Sequence, residues 1–207
     1  MRRRSGSPTP VSLSTLFASS RRLGVPKWLA AVLLVVAALA AWRFAPGDGA
    51  PHGGTRYALS GSVVEVADGD TVTLATASGR RRIRLASIDA PEKGGDGRPG
   101  QPYGSASGRH LASLLADAAI QARCYEQDHY GRDVCDLLLP DGTTASRRQV
   151  EAGMAWVNMQ GNGRYLRDQS LLALQEEARR SRRGLWSQAG AVEPWVWRQR
   201  CWNQKQC

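Results

Sequence analysis

Two short β-branched runs joined by an Asp-Gly turn constrain the fold of this chain most strongly. Residues 62–66 (SVVEV) and residues 71–74 (TVTL) are separated by Ala67-Asp68-Gly69-Asp70. Runs of this kind joined by a short polar turn predict a β-hairpin. After the Ser78-Gly79 turn, residues 80–85 (RRRIRL) end in alternating basic and apolar side chains, which predicts a third strand. The region from Tyr57 onward therefore begins as a β-meander.

The remaining elements predict a small barrel with helices. Residues 120–125 and 132–139 resemble a second hairpin, joined across residues 126–131. Apolar residues at helical spacing predict helices over residues 103–119, 145–152 and 166–183. A mainly β fold of the α+β type, with five strands and about three helices, fits an OB-type five-stranded barrel.

The net charge of +10 is unevenly distributed. Residues 1–45 carry seven of the 28 Lys and Arg residues and no acidic residue, which leaves 21 basic and 18 acidic side chains in residues 46–207. The overall basicity is therefore weak evidence for nucleic-acid binding.

The N-terminal region predicts export. Residues 1–27 are a polar, basic leader that we expect to be disordered, and residues 28–45 begin with an uncharged run (WLAAVLLVVAALAAW) flanked by tryptophans. We interpret this run as a membrane-spanning signal anchor with the basic leader in the cytoplasm. The alternative is a cleaved signal peptide with an A-x-A site at Ala38-Leu39-Ala40. The protein is expected to be extracytoplasmic in both cases, either anchored in the cell membrane by a single N-terminal helix or secreted.

The rest of the chain divides into a linker, a domain and a tail. Residues 46–56 are rich in Gly and Pro and indicate a linker. Residues 57–188 form the predicted barrel domain, and residues 189–207 form a tail that contains Trp and Cys.

The four cysteines indicate disulfides rather than a zinc site. Cys124, Cys135, Cys201 and Cys207 form no CxxC motif and lack histidines at zinc-finger spacing. An even number in an exported chain predicts two disulfides. Cys124 and Cys135 flank the second hairpin turn, where a cross-strand bond is geometrically reasonable, and Cys201 and Cys207 can close a small loop. The sequence leaves the pairing open.

Asp70 and Asp89 are candidate ligands for a hard metal ion. Both follow predicted strands, and calcium takes six to eight oxygen ligands from carboxylates, backbone carbonyls and water. The alternative for Asp68-Gly69-Asp70 is an ordinary turn, and we interpret Asp68 as a turn residue only.

Arg84 and Arg132 are candidate phosphate-binding residues. Guanidinium groups bind phosphate oxygens in a bidentate manner and remain charged, which suits charge that develops on phosphorus. Strand alternation would place Arg84 and Asp89 on opposite faces. A bend or bulge between Leu85 and Asp89 is therefore required if both line one site.

Glu92 is a candidate for activating water. It follows Pro91, and a carboxylate near a metal but not bound to it can position or deprotonate the attacking water. His110 and His129 are alternative bases. His110 lies in a predicted helix and favours a packing role, whereas His129 lies in the hairpin turn beside Tyr130 and can contact substrate.

Taken in order, these segments resemble the staphylococcal nuclease (thermonuclease) family. The resemblance spans about residues 57–188 and rests on Asp68-Gly69-Asp70-Thr71, Arg84-Leu85, Asp89-Ala90-Pro91-Glu92, Asp128-His129-Tyr130-Gly131-Arg132 and Gly184-Leu185-Trp186. It implies an OB-type barrel with three helices and a calcium-dependent phosphodiesterase that acts on DNA and RNA.

The resemblance also assigns residue roles. Asp70, Asp89 and the carbonyl of Ala90 match the calcium ligands, and Arg84 and Arg132 match the phosphate arginines. Glu92 matches the residue assigned to water activation, and Tyr130 matches a tyrosine at the edge of the nucleotide site.

The sequence departs from the family pattern at three places, of which the first two affect substrate binding rather than the hydrolytic centre. His129 stands where the family often has a lysine. Asn158-Met159 occupy the stretch where a second substrate tyrosine is expected, and the loop over residues 93–102 is longer than in the commoner bacterial form.

These observations predict a calcium-dependent nuclease in which water attacks in line and leaves 3′-phosphorylated products. We expect a preference for single-stranded or unpaired DNA and RNA, a monomeric domain and no protein partner. The first alternative is an exported OB-type module that binds nucleic acid without cutting it. The second is a structural envelope protein whose tryptophan-containing tail docks on a partner.

Overall fold

The computed structural model describes residues 56–116 and 119–207, and its centre is a closed five-stranded barrel. The barrel strands are β1 (Tyr57–Val66), β2 (Thr71–Thr76), β3 (Gly79–Leu85), β5 (Ala119–Gln127) and β6 (Asp133–Leu138). They neighbour one another in the order β1-β2-β3-β6-β5, antiparallel except for the parallel β3–β6 pair. A separate ladder pairs β4 (Ile88–Asp89) with β7 (Trp156–Val157). The predicted α+β fold with a five-stranded barrel is confirmed.

Within the described residues, three helices of seven or more residues precede Gly184, as predicted, together with a four-residue helical turn (Gln160–Gly163), and a further helical segment follows near the C-terminus. The helices are α1 (Gly104–Leu115), α2 (Ala145–Glu151) and α3 (Leu171–Arg180). A 3₁₀ helix (Gly184–Ser187) precedes α4 (Pro194–Trp197), which continues into a π-helical segment (Arg198–Asn203). The sequence patterns did not predict the C-terminal helical segment.

Two predicted helices are shorter in the structure. The first ends at Leu115, and strand β5 already begins at Ala119. The helix predicted from residue 166 begins at Leu171, because the Asp168 carboxylate accepts a hydrogen bond of 2.9 Å from the Ser170 N–H and forms a turn there.

The core follows from strand alternation. Every second side chain of the barrel strands points inward, and helix α1 contributes the apolar side of its amphipathic surface. The buried apolar side chains include Val72, Leu74, Ile83, Leu85, Leu111, Leu115, Ile120 and Leu137. On the outer face of β3, Arg80 and Arg82 are exposed.

Both expected disulfides are present. Cys124 and Cys135 lie directly opposite each other in the β5–β6 ladder, with their Cα atoms 4.0 Å apart. Cys201 and Cys207 close the short C-terminal loop.

The predicted leader, signal anchor and nearly all of the linker lie outside the described residues. In the part of the chain that the structure describes, every helix is too short or too polar to cross a membrane.

Candidate active site

The Asp68–Asp70 turn is packed firmly against two helices. The backbone carbonyl of Gly69 accepts a hydrogen bond of 2.6 Å from Nε2 of the buried Gln149. A Cβ atom on Gly69 would collide with the Ser107 hydroxyl of α1, so only glycine permits this close approach. The Asp70 N–H donates to Asp68 Oδ1 at 3.0 Å. The turn therefore holds Asp70 in a defined position at the start of β2, and Asp68 supports it as the expected turn residue.

Arg84 joins the two candidate metal-binding carboxylates. Its guanidinium forms an ion pair with Asp70 Oδ1, and its Nη2 lies 2.8 Å from Asp89 Oδ1. Asp70 and Asp89 are only 4% and 1% exposed. The Ala90 N–H donates to Asp70 Oδ2 at 2.6 Å. Asp70, Arg84, Asp89 and Ala90 thus form one buried cluster.

The required bend between Leu85 and Asp89 is present. Ser87 has a φ of 68°, a left-handed conformation that is uncommon for a residue other than glycine. Its hydroxyl accepts the Arg167 N–H at 2.8 Å and the Asp168 N–H at 3.1 Å, which stabilise the bend. After it, Asp89 pairs with Trp156 in the β4–β7 ladder.

Glu92 lies beside the cluster and contacts a second arginine. Arg198 Nη1 lies 2.6 Å from Glu92 Oε1 and 3.1 Å from Asp89 Oδ1, and Arg198 Nη2 lies 2.8 Å from Asp89 Oδ2. The Glu92 side chain is 16% exposed. It therefore reaches solvent while remaining close to Asp89.

Arg132 reaches the cluster through Thr71. Its Nε and Nη2 each lie 2.7 Å from Asp128 Oδ2, and its Nη1 lies 3.4 Å from Thr71 Oγ1. Thr71 Oγ1 in turn donates to Asp70 Oδ1 at 2.9 Å. Arg84 and Arg132 thus both approach Asp70, and Arg132 is oriented by the turn that precedes β6.

Tyr130 and His129 lie at the rim of the site. Tyr130 is 71% exposed, and the Arg132 guanidinium lies 5.3 Å from the centroid of its ring. The His129 ring lies 3.7 Å from that of Tyr130. His110 is hydrogen-bonded to Gln149, which agrees with the expected packing role.

The charges of the cluster shift several pKa values. Burial raises the pKa of Asp70, but Arg84 and the Ala90 N–H more than offset this effect and hold it below its ordinary value. Burial and the nearby Asp70 charge raise the pKa of Asp68. Burial also raises the pKa of Glu92, and Arg198 only partly opposes the increase. Asp70 is therefore an ionised ligand candidate, and Glu92 has the raised pKa that suits a group exchanging protons with water.

A sequence profile described as staphylococcal nuclease homologue matches residues 82–188, just over half of the chain. The chain belongs to this family. An "Uncharacterized endonuclease" of Escherichia coli O157:H7 is 42% identical over 142 residues, which cover 69% of this chain and 86% of the relative. The "Micrococcal nuclease" of Shigella flexneri is 38% identical over 149 residues, with 67% and 79% covered.

Family membership identifies the protein as a nuclease and favours this function over the two non-enzymatic alternatives. Asp70, Arg84, Asp89, Ala90, Glu92 and Arg132 lie at one end of the barrel of this staphylococcal nuclease homologue, and Tyr130 and His129 lie at its rim. The structure thus brings together the residues that the sequence nominated.

The donor set of the nuclease fits a hard cation. Two buried carboxylates, Asp70 and Asp89, supply oxygen atoms, the ligand type that calcium prefers. Within residues 56–116 and 119–207, no three His, Cys, Asp or Glu side chains are grouped closely enough to hold a metal ion by themselves. A calcium ion at Asp70 and Asp89 would therefore need backbone and water oxygens as additional ligands.

Sequence reasoning missed Arg198 entirely. This residue lies in the predicted tail, beyond the segment that resembles the family, and 109 positions separate it from Asp89. The local signal is limited to two arginines, Arg198 and Arg200, between Trp197 and Trp202, in a segment with paired cysteines. That pattern indicates a folded tail but not its position.

Proposed function

We propose that this nuclease hydrolyses phosphodiester bonds of DNA and RNA in a calcium-dependent reaction that leaves 3′-phosphorylated products. The observation that carries the proposal is the contact of Arg84 with both Asp70 and Asp89. The hydroxyl group of Thr71 connects Asp70 to Arg132. Two anionic metal ligands and two phosphate-binding cations are thus joined in one network. A module that only binds nucleic acid has no evident need for such paired, buried carboxylates.

Asp70, Asp89 and the Ala90 carbonyl would hold the calcium ion. When bound, the ion would supply positive charge next to a phosphate oxygen and a site for the attacking water. The arginine–carboxylate contacts support this assignment because they show that the cluster accommodates cationic groups against both carboxylates.

Arg84 and Arg132 would bind the scissile phosphate and stabilise the charge of the pentacoordinate transition state. Asp70 and Asp89 raise the pKa of Arg84, so its charge persists at any working pH. Asp128 fixes Arg132 through two hydrogen bonds, which leaves Nη1 directed toward Thr71 and the cluster. A guanidinium held in this way loses little additional entropy when it binds phosphate.

Glu92 would orient and deprotonate the attacking water. The water oxygen would form a bond to phosphorus and give its proton to Glu92, while the bond from phosphorus to the 5′-oxygen breaks and the departing oxygen takes a proton from solvent. The phosphate then remains on the 3′-oxygen. The partial exposure of Glu92 and its raised pKa support this role.

Tyr130 and His129 would contact the nucleotide beside the scissile phosphate. An exposed aromatic side chain offers a surface on which any base can stack, and this would allow the nuclease to act on both DNA and RNA. A base must leave its pair to reach this ring, so we expect single-stranded or unpaired substrates to be cleaved faster.

We also propose that the nuclease acts outside the cytoplasm, anchored by residues 28–45 or secreted after cleavage. The two disulfides support this location, because such bonds persist mainly in oxidising compartments. We propose a monomeric nuclease domain.

The test is to incubate the full chain, purified in mild detergent, with single-stranded DNA or RNA in calcium or in a calcium chelator. We expect small 3′-phosphorylated fragments in calcium only, and faster cleavage of single strands than of duplex. Fragments formed equally in the chelator would contradict calcium dependence. Fragments with 5′-phosphates would contradict the proposed direction of bond cleavage.

A further inference from the structure

Residues 189–207 form a folded segment that we term the C-terminal strap. It contains α4 (Pro194–Trp197), the π-helical segment (Arg198–Asn203) and the Cys201–Cys207 disulfide. Cys201 is buried. The strap lies beyond residues 82–188, which match the family, so family membership assigns it no role.

The strap is attached to the loop that follows Glu92. The indole N–H groups of Trp197 and Trp202 lie 3.4 and 3.0 Å from the carbonyl oxygen of Pro99. Gln101 Nε2 donates to the carbonyl of Val192 at 2.6 Å. The long loop noted in the sequence thus serves as the docking surface for the strap.

This attachment directs Arg198 into the active site. Its two terminal nitrogens bind both carboxylate oxygens of Asp89, at 3.1 and 2.8 Å, and one of them also lies 2.6 Å from Glu92. The Arg198 side chain is 30% exposed, so the contacts are largely shielded from solvent. Arg84 already neutralises one oxygen of Asp89, and Arg198 is therefore a second cation on a single carboxylate.

A divalent cation and the Arg198 guanidinium need the same oxygens. Asp89 Oδ2 has Arg198 as its partner, and a metal ion bound there would lie within a few ångströms of a fixed positive charge. Binding of the metal therefore requires that Arg198 release Asp89. The contact of Arg198 with Asp89 weakens metal binding by the same factor by which a bound metal weakens that contact.

We propose that Arg198 is a positioning residue that competes with the metal ion for Asp89 and thereby sets the metal affinity of the nuclease. This inference rests on the proposed function, since it assumes a divalent cation at Asp70 and Asp89. A metal ion that binds Asp89 would displace Arg198 from this carboxylate. Arg198 then retains Glu92 as its partner.

Calcium titration calorimetry on the chelator-treated full chain tests the proposal. Arg198→Gln removes the competing charge, and we expect the dissociation constant for calcium to fall about tenfold, as for the loss of a charge-assisted hydrogen bond. Arg198→Lys keeps the charge but not the bidentate contact, and its dissociation constant for calcium should lie between those of the wild type and Arg198→Gln. Arg200→Gln removes the same charge from an exposed position of the strap and should match the wild type.

A second readout separates competition from a loss of structure. The calcium concentration for half-maximal cleavage should fall in Arg198→Gln in parallel with the dissociation constant, while the melting temperature in chelator stays close to that of Arg200→Gln. An unchanged or weaker calcium affinity in Arg198→Gln would overturn the inference and leave the proposed function intact. Calcium binding in none of the variants, with Asp89→Asn as the reference for zero binding, would overturn the proposed metal site itself.

Discussion

Glu92 differs from the buried Asp70 and Asp89 because its side chain is partly exposed to solvent. Burial raises the pKa of Glu92. Replacing it with Gln preserves the shape and the acceptor for Arg198 but removes the base. We expect turnover to fall by about 10²–10⁴-fold, the usual contribution of general base catalysis, with little change in KM. Steady-state kinetics at saturating calcium measure this effect.

Glu176→Gln is the control for Glu92→Gln, because Glu176 is exposed on α3 and forms an ion pair with Arg179 there. Its turnover should match the wild type. Near-normal turnover of Glu92→Gln, with calcium affinity unchanged, would exclude Glu92 as the base.

Tyr130 permits a second test at the residue scale, because most of this residue is exposed to solvent. Base–aromatic stacking contributes about 1–3 kcal/mol per base, so Tyr130→Ala should raise KM about tenfold and leave kcat nearly unchanged. Leu172→Ala removes an exposed apolar side chain from α3 and should leave both constants unchanged. A fall in kcat without a change in KM would place Tyr130 in the chemical step instead.

At the scale of elements, local sequence patterns predicted most of the barrel. The β-branched alternation of residues 62–66 and 71–74 became β1 and β2, because one face of each strand packs on the core. Strand alternation predicted a bend between Leu85 and Asp89 but not its position at Ser87. The left-handed conformation of Ser87 depends on hydrogen bonds from the distant Arg167 and Asp168, which the local sequence does not reveal.

Asp133, at the start of β6, ties three other strands of the barrel together. Its buried carboxylate accepts hydrogen bonds from Tyr57 at 2.7 Å, Arg81 at 2.9 and 2.5 Å, and Gln127 at 3.1 Å. Asp133→Asn removes the charge and leaves donors without an adequate acceptor. We expect the free energy of unfolding to fall by about 2–4 kcal/mol at neutral pH, measured by urea denaturation.

The pH dependence of this difference provides the control. Burial raises the pKa of Asp133, but the bonds from Tyr57, Arg81 and Gln127 more than offset it and lower the pKa. The stabilisation is therefore present above the ordinary carboxyl pKa of about 3.9 and is lost as the pH falls through the lower folded value. Wild type and Asp133→Asn should converge in acid. A difference that stays constant with pH would attribute the effect to packing rather than to charge.

At the scale of the whole molecule, the candidate site is completed by a segment that no local pattern connects to it. Arg198 lies 106 positions from Glu92 and 109 from Asp89, and its place depends on how Trp197 and Trp202 dock on the loop at Pro99. The acidic and basic residues of the family segments were predictable, because the order of these segments in the sequence resembles that of the staphylococcal nuclease family. The contribution of the strap became visible only when the chain was folded.

The location of the nuclease is the remaining property of the whole chain, and the disulfides make it testable. If residues 28–45 anchor the protein with its domain outside, all four cysteines should be oxidised and the domain should be digested by protease added to intact spheroplasts. A variant with Arg inserted in place of Leu33 and Val36 should lose export, because charged residues at the centre of a span oppose insertion. Its cysteines would then remain reduced and accessible to thiol reagents in the cytosol. Full protection of the wild-type domain from external protease, together with reduced cysteines, would contradict export.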